Sequence, residues 1–84
     1  MNIQELKEQM YKNLHPSVNI DYYMEVINSL PKNEWFVPSA KDSDGNNFAI
    51  CDHLHHHHLI GQKREPVWVN GSLRGVRISF KIDS

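Results

Sequence analysis

Eighty-four residues are enough for one domain with a small core. With 39% hydrophobic and 23% charged residues the chain has the make-up of a soluble globular protein, and its net charge of −1 argues against a polycation that simply coats nucleic acid. No run of ~18 apolar residues is present to span a membrane. The opening MNIQELKEQMYKNL carries acids early and has no apolar stretch, so it is not expected to direct secretion. The single cysteine, Cys51, cannot form an internal disulfide, and these features together predict a cytoplasmic protein.

The charge is unevenly spread. Residues 1–52 hold four lysines against eight acids, a local −4. Residues 53–84 hold five Lys or Arg against Glu65 and Asp83, a local +3. A small domain polarised in this way can turn one face to phosphates and keep the other away.

In chain order, Ile3, Leu6, Met10 and Leu14 recur at spacings of three and four and predict a helix from Asn2 to Leu14. Asn2 is its candidate N-cap with Glu5 three residues on, and His15-Pro16 ends it. The apolar face is narrow, which suits packing on the domain surface or against a partner subunit. The segment NIDYYMEVINSLP places Ile20, Tyr23, Met24, Ile27 and Leu30 on a second helix, capped by Asn19 or Asp21 and stopped by Pro31. Trp35-Phe36-Val37 suffices for one short strand. Pro38 suits the first turn of a brief helix, which the turn-rich Asp42 to Gly45 would break.

A third main helix is expected from Asn46 to His58. At 100° per residue, Ile50, Cys51, Leu54 and His58 share the inner side, and Ala49, Asp52 and His56 point outward. Gly61 reads as its terminator. Val76, Ile78, Phe80 and Ile82 then alternate with Arg77, Ser79 and Lys81, a strand with one buried face. Its partner is Val67-Trp68-Val69. Asn70-Gly71 marks the turn, and Gly75 allows a longer loop from which Leu73 and Arg74 project.

The order helix, helix, short strand, short helix, turn, helix, hairpin resembles the winged helix-turn-helix family over about residues 20–82. LPKNEWFVPSA resembles the approach to that family's second helix, NNFAICDHLHHHH its recognition helix, and VWVNGSLRGVRISF its strand, wing and strand. The resemblance implies an α+β domain: three core helices in residues 20–82, an accessory helix in residues 1–15, and a C-terminal hairpin wing over residues 67–82. It also implies a small sequence-specific DNA-binding regulator of transcription, with double-stranded DNA as partner and no cofactor. The recognition helix would enter the major groove. Asn46 and Asn47 at its start would bond an adenine edge or a phosphate, or cap the helix instead. His53 and His56 would donate to bases or phosphates. Lys63 and Arg64 suit the backbone, Arg74 a minor groove and Arg77 a phosphate. One departure stands out: the recognition helix holds no Arg or Lys.

Other chemistries are weaker. His53 and His57, like Asp52 and His56, are four apart and permit two-point chelation, but a closed zinc shell takes four ligands and the sequence holds no second cluster. Free histidines titrate near pH ~6.5, so mild acid would add positive charge to this face. Asp42, Asp44 and Asn46 mimic the start of a calcium loop, yet its twelfth place holds His53. Cys51 beside histidines would suit a nucleophile–base pair, but its inward placement makes it a core residue, and no enzyme activity is expected. The competing reading is a protein-binding adaptor or inhibitor of similar fold that touches no DNA. The first helix offers a surface for such a partner or for a homodimer.

Overall fold

The computed structural model describes residues 2–38 and 46–84. They form an α+β arrangement of three helices, α1 (Ile3–Asn13), α2 (Ile20–Ser29) and α3 (Asn46–His56), with three strands. The strands β1 (Trp35–Phe36), β2 (Gly61–Val69) and β3 (Ser72–Lys81) build one antiparallel sheet in the order β1-β3-β2. The brief helix and break expected after Pro38 lie outside the described residues. Pro38 itself is buried in an irregular segment.

Both N-terminal helices start on asparagine caps. Asn2 Oδ1 accepts the Glu5 N–H at 2.8 Å while its Nδ2 donates to Glu5 Oε1 at 3.3 Å, which satisfies a free backbone donor and fixes the first turn. Asn19 Oδ1 accepts the Tyr22 N–H at 3.0 Å in the same way. The stripe of α1 is buried inside the molecule: Leu6, Met10 and Leu14 join Met24 and Ile27 of α2 in the core. What α1 leaves for a partner is its polar face with the exposed Tyr11.

Helix α3 adds Ile50, Cys51 and Leu54 to that core and ends two residues earlier than expected. His57 and His58 belong to a turn, and His58 is exposed rather than inward. The reason is the cap. The His58 N–H bonds the His55 carbonyl at 2.8 Å and the Leu59 N–H bonds the Leu54 carbonyl at 3.0 Å, the paired bonds of a Schellman motif. That motif needs a left-handed residue, and His58 supplies it at φ 60° where glycine would be usual. Gly61 is therefore not the terminator; it is the first residue of β2.

The hairpin is longer and its loop tighter than the apolar pattern indicated. β2 pairs with β3 from Gly61↔Lys81 to Val69↔Ser72, so only Asn70 and Gly71 form the loop, at φ 50° and 79°. Positive φ at both is what a twist-matched two-residue turn requires. The stretch Gly61 to Pro66 lacks apolar alternation and hid its strand character. Pro66 is tolerated because β2 is an edge strand. Leu73 and Arg74 lie in β3, and since Val67 faces Gly75 while Trp68 faces Leu73, Arg74 is the extra residue of a bulge.

Opposed residues share a sheet face. The inner face carries Gln62, Arg64, Pro66 and Trp68 against Phe80, Ile78, Val76 and Leu73; the outer face carries Gly61, Lys63, Glu65 and Val67 against Lys81, Ser79, Arg77 and Gly75. Phe80 and Ile82 are fully buried, but Val76 is 55% exposed because the inner face runs out beyond the helices. Ser79, expected outward, is buried on the outer face. β1 pairs only with Phe80 and Lys81, so among the described residues the other edge of β3 has no strand beside it from Ser72 to Ser79.

Two stability outcomes follow. Leu54→Ala and Phe80→Ala should each cost roughly 2–5 kcal/mol in urea unfolding, and a loss under ~1 kcal/mol at either would contradict its place in the core. His58→Gly should raise stability by about 0.5–1 kcal/mol by relieving the left-handed backbone.

Candidate nucleic-acid interface

Helix α3 carries four of the residues expected to meet DNA, and packing claims two of them. Asn46 is half-buried and donates from Nδ2 to the Tyr22 hydroxyl at 3.1 Å; Asn47 beside it is half-buried as well. His53 Nδ1 lies 2.7 Å from the Tyr23 hydroxyl, and the two rings meet edge-on with centroids 5.8 Å apart. Burial raises the pKa of the Tyr23 phenol, so the hydroxyl stays protonated at neutral pH and can either donate to or accept from the imidazole according to its tautomer. Asn46 and His53 thus tie α3 to α2.

His56 is different. Its Nε2 stands 3.3 Å from Asp52 Oδ2, one turn back, with two-thirds of the imidazole side chain exposed. Asp52 Oδ1 accepts from Gln62 Nε2 at 3.4 Å, and Gln62 Oε1 accepts from Arg64 Nε at 3.2 Å. A polar chain His56–Asp52–Gln62–Arg64 therefore runs from the outward side of α3 onto the inner face of β2. It brings one predicted basic residue, Arg64, beside the histidine face.

The other predicted cations lie elsewhere. Lys63 and Arg77 are on the outer face of the sheet, away from α3, and Lys63 pairs with Glu65 at 3.1 Å. Arg74 stands at the bulge near the tip, beyond the pairs that run from Arg64↔Ile78 to Val67↔Gly75. The histidine face and the basic hairpin thus meet at the hairpin base. A bulge kinks its strand and redirects the side chain it frees, so Arg74 leaves the regular alternation of β3.

Two residues of this region, Gln62 and Trp35, were not singled out by the sequence, and Asp52 was paired there with His56 alone. Asp52 and Gln62 connect helix to strand, a contact no spacing rule encodes. Trp35 read only as part of a short apolar strand; it is 43% exposed, with Lys63 Nζ 4.9 Å and Lys81 Nζ 5.9 Å from a ring centroid. A two-residue strand has no periodicity from which its outward side could be recognised.

A pocket of about 400 Å³ opens where the end of α3 meets β2, rimmed by His55, His58, Gln62 and Asp83 over Leu6 and Leu59. Among the described residues no group of three or more His, Cys, Asp or Glu is placed to hold a metal ion. No helix among them is long and apolar enough to cross a membrane. No family model, curated protein or solved structure matches the chain.

Cys51 is buried between α3 and the core, and desolvation pushes its thiol up to about 12. The thiolate is the reactive form, so at pH 8 a disulfide reagent should leave the folded protein unmodified and react fully once denaturant opens it. Rapid native-state modification would place Cys51 at the surface.

Proposed function

We propose that this chain is a small DNA-binding regulator of winged-helix type that grips duplex DNA mainly through its hairpin. One observation carries the reading: a helix with an exposed histidine face leads through a tight turn into a long hairpin that bears all five cations of residues 53–84 and a single acid, Glu65. Three helices with a three-stranded antiparallel sheet, in which α3 directly precedes the hairpin, are compatible with this reading.

In this reading α3 lies against the major groove as a positioning element. It holds no Lys or Arg, and Asn46 and His53 are committed to α2. His56 and Arg64, joined through Asp52 and Gln62, meet the phosphates at the hairpin base. Arg74, freed from the strand alternation at the bulge, reaches toward the adjacent minor groove, whose negative potential attracts arginine. Lys63 and Arg77, on the opposite sheet face, add to the attracting field rather than to the contact. The acidic half of the chain sets orientation by repulsion.

A second reading, a protein-binding adaptor, draws on one specific observation. The inner face beyond the core presents the cross-strand pairs Trp68–Leu73 and Pro66–Val76, with Trp68, Leu73 and Val76 each more than half exposed. A contiguous apolar patch of this kind suits a protein surface.

A salt titration of binding to random-sequence duplex separates the two. Affinity should fall steeply with salt, and Arg64→Ala and Arg74→Ala should each reduce the log–log slope by roughly 0.9, one phosphate contact apiece. Absence of binding at low salt, or slopes unchanged in both variants, would leave the adaptor reading.

A further inference from the structure

The outer face of the sheet, turned away from α3, carries a cluster that the duplex contact leaves unused. Trp35, Lys81 and Gly61 form one row across the three strands. Because Gly61 has no side chain, the indole can reach across the row: a Cβ at that position would lie 3.4 Å from Trp35 Cη2. The ammonium groups of Lys63 and Lys81 flank the ring at 4.9 and 5.9 Å. Arg77 is on the same face, four residues and so ~14 Å from Lys81 along β3. The acid among these outer-face positions is Glu65, which already pairs with Lys63.

This arrangement is selective in its chemistry. The two lysines at the ring, with Arg77 farther along the same face, disfavour a cationic ligand at the indole. A bare inorganic anion would use the lysines and ignore the ring. A nucleotide uses both, with a base to lie on the aromatic plane and a phosphate for the ammonium groups. We propose that Trp35, Lys63, Lys81 and Arg77 form a site for single-stranded nucleic acid, with one base stacked on Trp35 and the backbone tracking from Lys81 toward Arg77. Lys63 is the adjustable part. Its flexible side chain leaves the ring as the base arrives and turns to the phosphate. The ~14 Å spread of cations exceeds what one phosphate can bridge, which favours a strand over a free nucleotide.

This site lies on the sheet face opposite α3 and stands or falls apart from the duplex reading. Its test uses the whole chain with Trp68→Phe, which leaves Trp35 as the sole tryptophan. Titration with a twelve-nucleotide oligothymidine should quench the emission and saturate, and binding should weaken with salt. Lys81→Gln and Arg77→Gln should each lower the salt slope by roughly 0.7. Followed by anisotropy of a labelled strand, Trp35→Ala should bind at least tenfold more weakly and Trp35→Phe should recover part of the loss. Strand binding without quenching, or unchanged in Trp35→Ala, would overturn the proposal. Thymidine monophosphate binding as tightly as the strand would overturn the strand assignment in favour of a free nucleotide. Displacement of the strand from Trp35 by an Arg64-dependent duplex would overturn the independence of the two faces.

Discussion

Phe80 is the side chain on which this molecule closes. It is fully buried, pairs across the sheet with Gln62 on one side and Phe36 on the other, and meets the Phe48 ring edge-on at 5.6 Å. It is therefore the point where all three strands and α3 converge. In a domain this small no second core can take over, so the seating of α3 on the sheet depends on that contact and its neighbours Leu54 and Ile82. The outward side of α3 and the inner face of β2 are aligned because the same residues lock both elements.

How far the sequence spoke depended on whether a segment's surroundings were uniform. α1 and α2 were legible because each has an asparagine cap and one apolar stripe against one neighbour. α3 was legible over its inner residues and not at its end, since His58 occupies a left-handed position that composition assigns to Gly61. β3 was legible where Phe80 and Ile82 meet the core. Its alternation continued through Val76 into solvent, where period two no longer reports burial. β2 was half hidden, because an edge strand beyond a small core need not alternate.

The candidate site was less legible than the fold for a related reason. Residue type suggested contact for Asn46, His53, Lys63 and Arg77 alike. Contact depends on which side of a pleat or helix each one occupies, and that is settled by partners distant in sequence: Tyr22, Tyr23 and the strand register. Trp35 shows the converse. Nothing local distinguishes it from Phe36, yet pairing with Lys81 turns it outward while pairing with Phe80 turns Phe36 in. The sheet thus has two chemically different sides, Arg64 with an apolar ridge on one and Lys63, Arg77 and Lys81 with the Trp35 indole on the other.

The short reach of β1 has a further effect. Beyond Lys81 and Phe80, no strand among the described residues lies beside β3, and an edge of this kind is a rim onto which another chain can zip. The kink at Arg74 and the irregular backbone of Gly75, at φ 156°, spoil the flatness such stacking needs, and Arg77 adds a charge that a second copy would have to face. The same irregularity that takes Arg74 out of the strand alternation also makes this length of β3 a poor template for a second copy.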